Sequence, residues 1–235
     1  MFDLFKMYCY KMIRQKSLYV IWLIMFGFEL LTVLTTVESF AEISVEMGGF
    51  YILFVSIFSA IFFSADMSSG FIKNYAGSIS HRSTIIVSRI AMLLVQNLFT
   101  QAVMFVSLFV LALFKGVGPK VDSFTAKYYI SMFLTGFACS VLGMMFTELI
   151  RKTIPAMILT IAVGMGLVSQ LSATISCLIS NGRFNISNYM VTGMFNQLNT
   201  ESVSGDYNAM FFIAICYMIL SAFISIVSIE KQDIV

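Results

Sequence analysis

Charge is scarce in this chain: 11% of its 235 residues are Asp, Glu, Lys or Arg, while 59% are hydrophobic. An ordinary soluble domain carries about 25% charged residues, and a soluble core of this composition would lack the polar surface to cover itself. The net charge of +2, with no basic run longer than Arg151-Lys152, argues against a nucleic-acid partner. His81 is the only histidine, which speaks against a zinc site, a Ser-His hydrolase or any other membrane hydrolase. It reads as a solvated loop residue or, alternatively, as a pH sensor. Cys9, Cys139, Cys177 and Cys216 are far apart and form neither a disulfide framework nor a metal-ligand spacing. They read as small packing residues. No GxxxxGK[ST] motif occurs, so the chain is not expected to bind or hydrolyse ATP by the phosphate-loop route. No cofactor and no catalysis of its own are expected.

Long apolar runs are abundant, and the mean hydropathy is +0.92. About 20 mostly apolar residues are needed to cross a bilayer as a helix, and six segments qualify: 17–36, 48–65, 85–114, 127–147, 154–180 and 209–229. The expected fold is all-α: a polytopic membrane protein forming a single transmembrane domain over 1–235. The third and fifth segments exceed a perpendicular span, which predicts tilt or an interfacial extension. An even count puts both termini on one side, and the Lys/Arg distribution assigns that side to the cytoplasm. Lys6, Lys11, Arg14, Lys16, Lys73, Arg82, Arg89, Arg151, Lys152 and Lys231 fall there, against Lys115, Lys120, Lys127 and Arg183 opposite. Glu38, Glu42 and Glu46 give the first outer loop an acidic character. The first span is too long for a signal-peptide core and lacks a following cleavage pattern, so it reads as a retained helix.

Residues 1–16 carry Leu4, Phe5, Tyr8 and Met12 at helical spacing, with Asp3, Lys6, Lys11, Arg14 and Gln15 mostly elsewhere on the wheel. This predicts an interfacial amphipathic helix with its basic side chains near anionic headgroups, in contact with membrane lipids. A frayed extension is the plainer alternative.

The stretch 66–84 is polar between two apolar runs. Asp66 ends the second span, Gly70 follows four residues on, then Ile72-Lys73-Asn74, and Ser80, His81 and Arg82 lead into the third span with Arg89. This order resembles the permeases of the ABC-2 type, and in outline the resemblance extends over the whole chain. It is closest to the small six-span permeases found with bacterial peptide exporters and lantibiotic-immunity systems. Ser80-His81 stand where that family often places a Pro before the basic residue, a departure that bears on the local turn.

The resemblance implies that 66–84 forms a coupling helix seated in a groove of an ATP-binding cassette ATPase, present in two copies. ATP and magnesium would sit on that partner, and a second permease, the same or a related chain, would complete the membrane unit. It also implies export, or expulsion from the bilayer, of an amphipathic or hydrophobic substrate, of which antimicrobial peptides are the preferred class, in a bacterial cell membrane. The residues themselves fit docking: Ser68 or Ser69 can cap a helix start, Phe71, Ile72 and Tyr75 offer an apolar patch, and Gly77 can end the turn. A plain reversal between antiparallel helices would need only about 2 to 8 residues.

Inside the first span Glu29, Thr32 and Thr36 share one face. An ionised Glu there costs about 2.5 to 3.5 kcal/mol on insertion scales, so the face should turn from lipid. It reads as a wall of a translocation path or gate at the permease dimer interface, as a protonated or hydrogen-bonded lock between two helices, or as a sign that the outer end of the span begins earlier than drawn. Gln96, Asn97, Thr100 and Gln101 form a second polar cluster, with helix packing the first reading and a contribution from Asn97 and Gln101 to the translocation route the second. The small-residue ridges Ser56/Ala60/Ser64 and Ser172/Ser176/Ser180 read as packing faces, and Gly164 and Gly166 as a bend. The polar outer segment 181–208 contains Tyr189, Met190, Met194 and Phe195, which would pack on the spans if short helices form there. The competing functions are a proton-coupled secondary transporter using Glu29 and a non-transport membrane scaffold or sensor.

Overall fold

The computed structural model describes residues 2–35, 40–68, 83–118, 123–180, 185–198 and 207–230. Among them the chain is all-helical: α1 (Phe2–Arg14), α2 (Lys16–Thr35), α3 (Phe40–Ser68), α4 (Ser83–Phe114), α5 (Ser123–Ile150), α6 (Thr153–Gly164), α7 (Leu167–Ser180), a 3-10 turn (Ile186–Tyr189), α8 (Val191–Leu198) and α9 (Tyr207–Glu230). Five of these, α2, α3, α4, α5 and α9, are long and apolar enough to cross a membrane. The pair α6 and α7 adds a sixth if counted as one span bent by 65°.

The bundle is built around α3 and α5, which pack on each other and are covered by α2, α4, α6 and α9. Large apolar side chains cover its outside, among them Leu23, Leu34, Phe114, Leu178 and Phe212. In water so much exposed apolar surface would drive aggregation, whereas in hydrocarbon it costs nothing. The centre is held at short range by small residues. A Cβ on Gly143 of α5 would come within 2.6 Å of Ser59 Oγ and 2.7 Å of Thr160 Cγ2, and one on Gly164 of α6 within 2.7 Å of Ser56 Oγ. The ridge Ser56/Ala60/Ser64 is thus a packing face, with all three residues buried. Ser172 and Ser176 face the outer segment instead: Ser172 donates to Met190 Sδ at 3.4 Å, and Ser176 Oγ accepts from Ile186 N–H at 3.1 Å.

Several boundaries move. Helix α3 starts at Phe40, eight residues before the apolar run at 48, so Glu42 and Glu46 stand on a helix rather than in the first outer loop. At its other end α3 runs through Asp66 to Ser68, which shortens the polar connection to 69–82. Helix α5 likewise begins at Ser123, four residues before the apolar run at 127; Thr125 in this added turn is buried, and Tyr128 just after it is buried and donates to Val45 O at 3.0 Å. The fifth span breaks at Gly164-Met165-Gly166. Gly166 takes φ +73, a conformation that costs a non-glycine residue, and its N–H bonds Val163 O at 2.9 Å rather than Ala162 O. In the outer segment Phe195 is fully buried against Tyr128, with ring centroids 5.3 Å apart. Tyr189, expected to share that face, is exposed.

Candidate functional site

Four charged residues from four helices meet inside the bundle, at the end where α1 lies. Asp66 is in the last turn of α3, Arg89 in the second turn of α4, Glu148 in the last turn of α5, and Lys11 on α1. Helix α1 packs on α4, with Tyr8 and Met12 buried. Positions 8 and 11 are i and i+3 on one face, so α1 presents a phenol and an ammonium to the same place. Arg89 Nη2 pairs with Asp66 Oδ2 at 2.7 Å, its Nη1 with Glu148 Oε1, and its Nε donates to Tyr8 Oη at 3.0 Å. Lys11 Nζ pairs with the other oxygen of Asp66. The guanidinium also lies over the Phe63 ring, 5.1 Å from its centroid, a further attraction between cation and π face.

The cluster is neutral, two cations against two carboxylates. Arg89 and Asp66 side chains are 0% exposed, Glu148 1%, and Lys11 29%. Buried ions carry a desolvation penalty that their attraction offsets only when the geometry is good and the remaining donors are satisfied. Here each guanidinium nitrogen has a partner. Burial raises the Tyr8 phenol above its ordinary range, against the lowering effect of Arg89, so Tyr8 stays a neutral donor and acceptor at physiological pH.

The sequence places Asp66 in a docking loop and Arg89 and Lys11 among the cytoplasmic cations; Asp66 and Arg89 are buried inside the bundle, and Lys11 is partly buried beside them. Of the basic residues on α1, Lys6 and Arg14 are exposed and sit over the rings of Phe2 and Tyr10. Gly70, Phe71, Ile72, Lys73, Asn74, Tyr75 and Arg82 lie outside the described residues, as does Thr36. Glu148 was missed because the apolar run ends just before it. The signal available was an acid one turn from the end of a span, which needs a cation inside the same protein.

The amide cluster one level along α4 joins helices. Asn97 Nδ2 donates to Leu93 O at 2.8 Å and to Ser140 Oγ at 3.3 Å, Tyr51 donates to Asn97 O at 3.2 Å, and Trp22 Nε1 donates to Thr100 Oγ1 at 3.2 Å. Gln101 donates to Tyr129 O at 2.7 Å. Glu29 is buried, and its carboxyl makes no well-formed hydrogen bond among the described residues, with the Ser107 hydroxyl of α4 close enough to interact with it. Thr32, one turn on, donates to Met47 Sδ at 3.5 Å. Glu29 and Asn97 are both 0% exposed within the single chain. No group of three or more metal-ligating side chains occurs among the described residues.

Compared with known protein families and with curated proteins, the chain matches none.

Proposed function

We propose that this chain is the membrane-spanning permease subunit of an ATP-driven transporter of the ABC-2 type, with both termini in the cytoplasm and ATP hydrolysed by a separate subunit. The reading is supported chiefly by the place of the charge cluster. Asp66 and Arg89 stand on the two helices that lead into and out of 69–82, and they are bonded to each other and to α1 and α5. A force applied to that connection by a docked ATPase would reach four helices through charged, hydrogen-bonded contacts and not through loose loops. ATP-driven approach of two ATPase copies would then rock two permeases against each other and change the access of an amphipathic or hydrophobic substrate, with antimicrobial peptides the preferred class.

The test is co-purification in mild detergent from bacterial cells expressing the neighbouring genes, with ATPase activity measured on the eluate and Phe71→Asp/Tyr75→Asp in parallel. A stoichiometric ATPase that the double substitution releases is the expected result. An intact wild-type chain that brings down no ATPase overturns the reading.

A second reading rests on Glu29. A buried carboxyl with no well-formed hydrogen bond, only Ser107 close by, is what a proton-coupled secondary transporter would use. It predicts transport that follows the proton gradient and persists without any ATPase.

A further inference from the structure

The break between α6 and α7 opens a cavity of about 240 Å³ against α3 and α8, lined by Glu46, Phe50, Leu53, Met165, Thr192 and Asn196 among others. It is separate from the charge cluster, and the inference stands independently of the permease reading. We propose that this cavity binds an organic ammonium ion with an apolar body, the ammonium at Glu46 and the chain running along α3 toward Leu53.

The chemistry of the walls selects this class. Glu46 is exposed at the mouth, and among the described residues it has no ion pair or hydrogen bond and no cationic side chain lines the cavity. An anion is repelled there, and a neutral guest gains no charge attraction from the carboxylate. Phe50, one turn further along α3 and stacked on Phe28 with ring centroids 4.8 Å apart, adds aromatic surface to the lining. Thr192 and Asn196 of α8 add neutral hydrogen-bonding groups. Beyond them the lining is apolar, with Ile52, Leu53, Met165 and Phe195. From Glu46 to Leu53 the helix rises about 10 Å, the reach of a short alkyl chain. A bare metal ion fits poorly, since it would need a closed set of oxygens, whereas this space equals several water volumes at about 30 Å³ each.

The backbone is built for the opening. Irregular backbone at membrane depth is tolerated where it is buried in protein or lines a cavity. Gly166 at φ +73 places the position a Cβ would occupy 3.4 Å from Asn196 Nδ2 and 3.9 Å from Thr192 Cβ, so any larger residue would thicken this wall as well as strain it.

The ammonium could belong to a free amphiphile or to a lipid headgroup, and the test separates them. Purified chain in maltoside micelles at pH 7 is titrated calorimetrically with n-hexylammonium chloride and with n-hexanol, as wild type, Glu46→Gln and the charge-matched control Glu42→Gln. The expected result is saturable binding of the ammonium, at least tenfold weaker in Glu46→Gln, little changed in Glu42→Gln, and weaker for the alcohol. Equal binding of alcohol and ammonium, no binding of either, or an unchanged affinity in Glu46→Gln overturns the proposal. Competition by dihexanoyl-phosphatidylethanolamine but not by dihexanoyl-phosphatidylglycerol identifies a lipid amine as the guest. Competition by neither identifies a free ammonium, and competition by both overturns the proposal, because the site would then read only the tail.

Discussion

Replacing Arg89 with Met removes the hub of the charge cluster while keeping an unbranched side chain of helix-compatible shape. Arg89 is bonded to Asp66, Glu148 and Tyr8. Without it the cluster carries one cation and two carboxylates, and since Lys11 pairs with Asp66, Glu148 loses the cation to which it is bonded. Breaking a buried pair from one side costs about 3 to 5 kcal/mol. With about 2 to 4 °C per kcal/mol for chains of 150 to 250 residues, the loss is about 6 to 20 °C in melting temperature. Glu148→Met leaves the cluster with a net charge of the opposite sign, but Arg89 keeps its 2.7 Å pair with Asp66 and its 3.0 Å bond to Tyr8, so the cost is smaller. The double variant Arg89→Met/Glu148→Met is neutral again and retains the pair Lys11–Asp66; it should lie within about 1 to 2 kcal/mol of wild type, because apolar replacement of a whole buried pair is often neutral or better. The assay is the fraction of monodisperse protein left after heating, read by size-exclusion chromatography in detergent. The ordering single Arg89, single Glu148, double, from worst to mildest, is the signature of stranded charge. A double variant as unstable as Arg89→Met would show that the site depends on the arginine's packing, and would refute the electrostatic account.

Two further predictions use the same readout. Gly143→Ala forces a Cβ to within 2.6 Å of Ser59 Oγ and 2.7 Å of Thr160 Cγ2 and should cost about 1 to 3 kcal/mol by overpacking, part of which Ser59→Gly should restore; an unchanged melting temperature would mean that α3, α5 and α6 yield at this point. Glu29→Leu removes a buried carboxyl that makes no well-formed hydrogen bond and should stabilise the chain by about 1 to 3 kcal/mol. If transport survives that change the carboxyl is dispensable, and if transport is lost from a more stable protein the proton-coupled reading gains its first support.

The spans were legible because a run of about 20 apolar residues has few other fates, and the break in the fifth was legible because glycine tolerates the positive φ found at Gly166. What the sequence hid was the inward pairing of charge. Lys11 and Asp66 are 55 positions apart, Arg89 and Glu148 59, and Tyr8 and Arg89 81. No local periodicity relates residues so distant, and a charge at the end of a span reads equally as an interfacial anchor. The early start of α3 was hidden for a related reason. Glu42 and Glu46 look like loop residues by composition, yet exposed acids are well tolerated in the first turns of a helix, where they complement its dipole.

An apolar core at the α1 end of the bundle would be at least as stable as the ion cluster, since buried ion pairs rarely outperform well-packed hydrocarbon. Stability alone therefore does not account for placing four charges there. Their distinguishing property is that they are discrete. An apolar contact degrades gradually as helices slide, but a guanidinium held by two carboxylates and a phenol through its three nitrogens is either engaged or broken within a shift of a few ångströms, because hydrogen bonds weaken steeply with distance and angle. Such a joint has two states and not a continuum. Under the permease reading, that is the property required where 69–82 is pushed by a nucleotide-dependent partner: α3, α4, α5 and α1 move together while the cluster holds, and part abruptly when it breaks. The variant Arg89→Met/Glu148→Met then separates stability from coupling. It should fold and bind the ATPase as wild type does, yet transport less substrate per ATP hydrolysed. Wild-type coupling in that variant would reduce the cluster to a structural device and leave the proposed transmission to the backbone alone.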